Sequence, residues 1–180
     1  MENILLVNMD DILHYSQLSP TIDIYKLNPH ILNAQILYLE PLLGTSLYEK
    51  ILDLVSTGSI TGYSYADYNI LLSKYITPSV VYHSIALFIP LNAFEISNGG
   101  TFQYSPTNAT ASVLTDIDKI SNKYNIVGSK YDDKLQSYLN ANSSLFIEYT
   151  TNTGLVKRTE NSNRIGWFLG LDNTQSKIRI

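Results

Sequence analysis

The chain has 180 residues, 44% of them hydrophobic and 16% charged, with a formal net charge of −4 and no cysteine. That length fits one domain with an appended arm, and the apolar share is enough to build a core, which excludes global disorder. The lack of Cys excludes disulfides and thiolate metal sites, and the acidic balance argues against a dedicated nucleic-acid binder, which carries a basic footprint.

The N-terminal stretch, residues 1–27, reads as irregular, with Ile4-Leu5-Leu6-Val7 as a short strand or hydrophobic hook. It lacks the basic start of a secretory signal. A first helix is expected from Asn28, with Asn as N-cap and Pro29 in the first turn, where its missing N–H has no partner to lose. Pro41 should kink or restart that helix. Ser46 with Glu49 three places on forms a capping box for a second helix, and Gly58 ends it. A third helix opens at Ser64 with Asp67, and Thr77-Pro78 starts a fourth. Residues 80–94 are the most apolar stretch, but His83, Ser84, Pro90 and Asn92 interrupt it. It is too short for a membrane span and reads as a buried helix. Asn98-Gly99-Gly100 stops it, and Phe102 and Tyr104 alternate with polar residues as in a strand or hairpin arm.

The fifth helix, residues 112–142, is the clearest. Val113, Ile117, Ile120, Tyr124, Val127, Tyr131, Leu135 and Tyr138 recur at steps of three and four, which is an amphipathic stripe about 45 Å long at 1.5 Å per residue. Gly128 within it marks a close helix crossing or a break, and Asp132, Asp133 and Lys134 are expected on the solvent face. Leu39, Leu43, Ile51, Leu72, Val81, Ile85, Ile120 and Leu135 are the expected core. The fold class is therefore mainly α: a bundle of about five helices with a short β-hairpin or strand arm and an extended C-terminal tail. Residues 28–149 form the helical domain and residues 150–180 the arm.

That arm has no helical period and one apolar island, Ile165-Gly166-Trp167-Phe168-Leu169, holding the single Trp. Residues 150–180 carry a net +3, whereas residues 1–63 carry −5. The bases Lys157, Arg158, Arg164, Lys177 and Arg179 interleave with Trp167 and Phe168. Three readings stand: a nucleic-acid contact, a solvated arm, and an arm that meets an acidic protein surface, the last preferred. Arg158, Arg164, Trp167, Phe168, Lys177 and Arg179 are thus the candidate protein-interface residues. The 14 tyrosines fit such contacts, since each buries a ring and keeps a polar tip.

The search for chemistry is largely negative. Neither phosphate-loop pattern occurs, nor a Gly-x-Ser-x-Gly elbow. His14, His30 and His83 are scattered, and His83 has no carboxylate three or four places away, so it reads as a core or interface residue rather than a metal ligand. Asp10-Asp11 and Asp132-Asp133 are adjacent in sequence, and adjacent helical side chains point apart, so neither pair is a catalytic dyad. No catalytic, cofactor or metal residue is assigned.

The order of motifs resembles a known family. Asn28-Pro29-His30-Ile31-Leu32-Asn33-Ala34-Gln35, then Leu39-Glu40-Pro41-Leu42-Leu43-Gly44 with Leu47-Tyr48, then Tyr68 with Leu71-Leu72 and Ile76-Thr77-Pro78, then Tyr131, Leu135, Tyr138-Leu139, Asn142 and Phe146-Ile147-Glu148-Tyr149, look like the small helical head–tail connector (adaptor, ring) proteins of tailed bacteriophages. The likeness is strongest to those of Bacteroides-infecting and crAss-like phages. It covers residues 20–149, with Ile147 where the pattern has Pro, and leaves the arm outside.

The resemblance implies a structural virion protein of the phage neck, assembled in the host bacterial cytoplasm. It would form a ring of about twelve copies between the portal and the next tail or ring protein. DNA would pass through its lumen without specific binding. No active site, cofactor or membrane contact is implied. The competing reading is a soluble helical scaffold or regulatory protein that binds a partner through a helix groove. An enzyme, read as a hydrolase using unpaired acids, stands third.

Overall fold

The computed structural model describes residues 4–97, 100–103 and 114–156. They are mainly helical, in chain order α1 (Met9–Tyr15), α2 (Ile24–Ala34), α3 (Glu40–Leu43), α4 (Thr45–Ser56), α5 (Ala66–Leu71), α6 (Thr77–Asn92), α7 (Leu114–Ala141) and α8 (Ile147–Thr150). Strands β1 (Phe94–Ser97) and β2 (Gly100–Gln103) pair antiparallel between α6 and α7, Phe94 opposite Gln103.

The bundle is organised around α6. Its buried residues, among them Val80, Val81, His83, Ser84, Ile85 and Phe88, point in every direction, as in a helix covered on all sides. α7 packs along one side of it, α2 along another, and α1 on a third. The sequence expects this helix to continue to Asn98; it ends at Asn92, and β1 follows directly.

The prolines account for most of the helix irregularities. The first long helix begins four residues before the expected N-cap. Asp23 caps it, its carboxylate accepting from the Tyr25 N–H at 2.9 Å, and Pro29 lies inside it. One turn before Pro41 the helix widens to π geometry over Gln35–Leu39, the Glu40 N–H reaching back five residues to the Gln35 carbonyl. The same happens at Leu72–Ile76 before Pro78, where the Thr77 N–H bonds the Leu72 carbonyl. Proline removes one N–H and its ring crowds the carbonyl four residues earlier. A π turn makes room for that ring without breaking the helix. α5 and α6 thus run on from each other, and Thr77-Pro78 is no new helix start.

Pro90 is handled differently. It leaves the Ala86 carbonyl without its usual donor, and the Ser121 hydroxyl of α7 donates to that oxygen at 2.8 Å.

The start of α4 also departs from the sequence reading. No capping box forms at Ser46 and Glu49. Residues 152–156 cap the helix instead: the Ser46 N–H donates to Asn152 Oδ1 (3.1 Å), the Thr45 N–H to the Val156 carbonyl (3.2 Å), and the Val156 N–H to Thr45 Oγ1 (2.9 Å). Gly44 sits there at φ 75°, and a Cβ on it would lie 2.6 Å from the Asn152 amide. The first residues of the segment read as an arm are therefore tied to the bundle. Gly58, at φ 69°, ends α4 as expected.

The N-terminal stretch is less irregular than expected. α1 starts with a capping box between Asn8 and Asp11. Ahead of it, Leu6 and Val7 are buried. The fully buried Gln35 amide holds that segment, accepting from the Leu6 N–H (2.8 Å) and donating to the Ile4 carbonyl (3.1 Å).

Of the expected core, Leu39, Leu43, Ile51, Val81, Ile85 and Leu135 are fully buried. Leu72 is half-buried. Ile120 is 45% exposed and does not belong to the core.

Candidate interaction surface

α7 presents two unlike faces. Its inner line runs Ile117, Ser121, Asn125, Gly128, Asp132, Leu135 and Leu139, so that polar groups occupy its middle. There His83 of α6, 1% exposed, places Nε2 at 2.8 Å from Asp132 Oδ2 and Nδ1 at 3.0 Å from Asn125 Oδ1. Its ring stacks on Tyr38 at 3.9 Å between centroids. The Ser79 hydroxyl donates to the other oxygen of Asp132. Gly128 faces the imidazole, and a Cβ there would lie 2.8 Å from ring atoms. Gly128 is thus a close crossing, not a break.

Serine, histidine and aspartate meet here in an order unsuited to nucleophilic catalysis. The hydroxyl is bonded to the carboxylate rather than to the imidazole, both ring nitrogens are engaged, and the imidazole is sealed from solvent. The cluster is a satisfied polar clasp between α6 and α7. Asp132 therefore does not lie free on the solvent face, as its charged neighbours had led us to expect. Among the described residues no group of three or more His, Cys, Asp or Glu side chains is placed to hold a metal ion. His30 lies edge-on to Phe88, and burial holds its pKa below the usual imidazole value.

The outer face of α7 carries Lys119, Lys123, Lys130 and Lys134. At 3.6 residues per turn they fall within about 60° of arc over about 22 Å. All four are exposed. Ile126 stands among them at 53% exposure, with Val127 and Ile120 beside the row. Asp116 pairs with Lys119 at 3.0 Å and Asp133 with Lys130 at 3.6 Å. Exposed i,i+3 pairs of this kind hold little energy and leave the lysines available.

Along one edge of this face lies an open groove of about 300 Å³ between the end of α1 and α7, lined by Tyr15, Ser16, Gln17, Tyr82, Lys123, Tyr124 and Val127. Tyrosines build its wall: Tyr82 stacks on Tyr131 at 5.5 Å and lies 6.0 Å from Tyr124. Burial, then the neighbouring phenols Tyr131, Tyr124 and Tyr15, push the Tyr82 pKa up, and burial does the same at Tyr15. Tyr82 and Tyr15 therefore stay protonated and can donate hydrogen bonds.

On the turn between α4 and α5, Tyr63 is 99% exposed, in the short 3₁₀ segment Tyr63–Tyr65. Nearby in sequence, Glu49 and Asp53 share the outer face of α4, and Asp67 opens α5; all three are exposed. A second lock holds this end together. The Tyr68 hydroxyl donates to Glu148 at 2.7 Å, Tyr68 meets Phe146 edge-on, and Tyr75 stacks on Tyr138 at 4.3 Å.

The six interface residues expected from the sequence, Arg158, Arg164, Trp167, Phe168, Lys177 and Arg179, lie outside the described residues. Of the groove tyrosines, Tyr124 was read only as part of the apolar stripe of α7; Tyr15, Tyr82 and the lysine row were not singled out from the sequence. The readable signal was the spacing Lys119, Lys123, Lys130, Lys134, which repeats at four, seven and four.

Residues 39–159 match the model of a family of unknown function, DUF6712. The chain belongs to that family. No curated protein and no solved structure matches it significantly. Among the described residues no helix is long and apolar enough to cross a membrane.

Proposed function

We propose that this member of DUF6712 is a structural virion protein of a tailed bacteriophage, a connector that forms a ring between portal and tail. The ring extends the DNA channel and docks the next tail component. The observation that carries the reading beyond the motif resemblance is a core packed to completion beside large apolar side chains left in solvent: Tyr25 (81% exposed), Leu37 (59%), Tyr63 (99%) and Ile147 (64%). Side chains of this size, in a bundle able to bury Leu39, Leu43 and Leu135 fully, fit surfaces that other chains cover. The proposal assigns no catalytic role. The arm bases and Trp167 remain proposed contacts to a neighbouring subunit or to the portal.

Mass spectrometry of purified particles tests it. A connector is present at a fixed multiple of the portal copy number. Absence from particles, with the protein recovered free in the infected cell, would overturn it in favour of a helical scaffold or regulator.

A further inference from the structure

We propose that the tyrosine groove and lysine row of α7 receive the Tyr63 end of a second copy of this chain. This rests on the reading that the chain assembles with itself, and it names the two faces that meet. Such a contact is heterologous, one face against a different face, and repeated it closes a ring.

The two faces are complementary in shape and charge. The receiving face is concave, with Tyr82 and Tyr124 as its wall, Lys123 at its lip and Lys130 farther along the same face. The entering end is a projecting aromatic ring, Tyr63, whose side chain touches solvent nearly everywhere. Asp67 is exposed four residues on, and Glu49 and Asp53 are exposed on α4, which packs on the turn Ser59–Thr61 just before Tyr63. Among the described residues there, Lys50 lies over the Tyr65 ring at 5.3 Å. Among the described residues, four of seven lysines belong to the α7 row. Aromatic rings that fill a partner's aromatic pocket, flanked by opposite charges, are the arrangement that fixes register between protein surfaces. A nucleic acid would also meet the lysines, but Ile126 and Val127 among them, at 53% and 38% exposure, and the phenol wall of the groove favour a protein surface. The two faces lie at different stretches of α7: the groove lies at Lys123–Val127 against the end of α1, whereas the Tyr63 end meets α7 through the turn after α5, where Tyr75 stacks on Tyr138. One copy can therefore offer both at once.

The chain has no cysteine, so single-cysteine variants report contacts cleanly. Full-length Tyr63→Cys is mixed with full-length Val127→Cys, or with Asn33→Cys on the outer face of α2, at high protein concentration with a short bismaleimide crosslinker. The expected result is a heterodimer with the residue-127 partner and little with the residue-33 partner. Lys123→Glu with Lys130→Glu, added to the Val127→Cys chain, should cut the yield about ten-fold, and more sharply at low salt. Equal yields with both partners would overturn the contact while leaving virion incorporation, the test of the connector reading, to stand on its own. Retardation of duplex DNA by the unsubstituted protein, lost in the Lys→Glu pair and unaccompanied by selective crosslinking, would give this face to nucleic acid and overturn it too.

Discussion

Gly128→Ala sets two physical effects against each other. In an exposed helix interior, alanine is worth up to about 1 kcal/mol over glycine, so the substitution should stabilise α7. At this position the new Cβ would stand 2.8 Å from His83 Cε1 and Nε2 and 3.0 Å from Cδ2. Carbon contacts want about 3.5–4.0 Å, so the ring must retreat by roughly half an ångström or more. It has nowhere to go: Tyr38 is stacked on it, and Asp132 and Asn125 hold its two nitrogens. Overpacking costs about 1–3 kcal/mol, and a loosened buried hydrogen bond about 1–3 kcal/mol more. The repulsion wins, with a net loss of about 2 kcal/mol, which lowers Tm by about 4–8 °C in a domain of this size. Melts followed by circular dichroism measure it. His83→Ala alone should also destabilise, but combined with Gly128→Ala it should cost no more than His83→Ala alone, because the clash is gone. A Gly128→Ala protein as stable as the parent, or strict additivity in the pair, would refute the reasoning.

Other outcomes follow from the same geometry. Ser121→Ala should leave the Ala86 carbonyl without a donor beneath Pro90 and cost about 1–3 kcal/mol, whereas Ser137→Ala on the outer face of the same helix should be near neutral; equal effects would contradict the assignment. Asn152→Ala should cost about 1 kcal/mol by uncapping α4 from a distance, and hydrogen exchange at Ser46 should accelerate with it. The Tyr68 pKa is raised by burial first and then by its bond to Glu148, so the phenol stays neutral in the folded chain. That stability is fully present below the unfolded-state phenol pKa near 10, and it is lost as pH rises from there toward the folded value. Tyr68→Phe should flatten this alkaline limb in a series of melts. His30 runs the other way: its lowered pKa gives stability present above about pH 6.5 and lost as pH falls below it, and His30→Phe should remove that acid sensitivity.

The helices were legible in the sequence because their apolar spacing is strong; their joins and rotations were less so. α7 appears at 114–141 against an expected 112–142. Its apolar stripe, however, pointed the buried side toward Ile120 and Val127, and both are more than a third exposed. The error has a cause. The true inner line is half polar, because Ser121, Asn125 and Asp132 meet partners on α6 rather than water. A pattern of hydrophobic residues cannot register polar groups satisfied across helices. The same limit hid His83 with Asp132, which lie 49 residues apart. Prolines were misread as helix starts for a related reason: propensity shows that Pro78 and Pro29 disturb a helix, but not that the chain carries the helix through them, at Pro78 by way of a π turn. The cap of α4 was assigned to Ser46 and Glu49, the nearest suitable residues, when Asn152 supplies it from more than a hundred residues away.

A reconstruction of the neck of particles that carry this protein tests the central claim most directly. The account predicts a closed ring of about twelve copies around the DNA channel, α6 at the heart of each subunit and the α7 face turned toward a neighbour. A neck in which this chain has no density, or in which it stands as an isolated monomer or dimer, would contradict it.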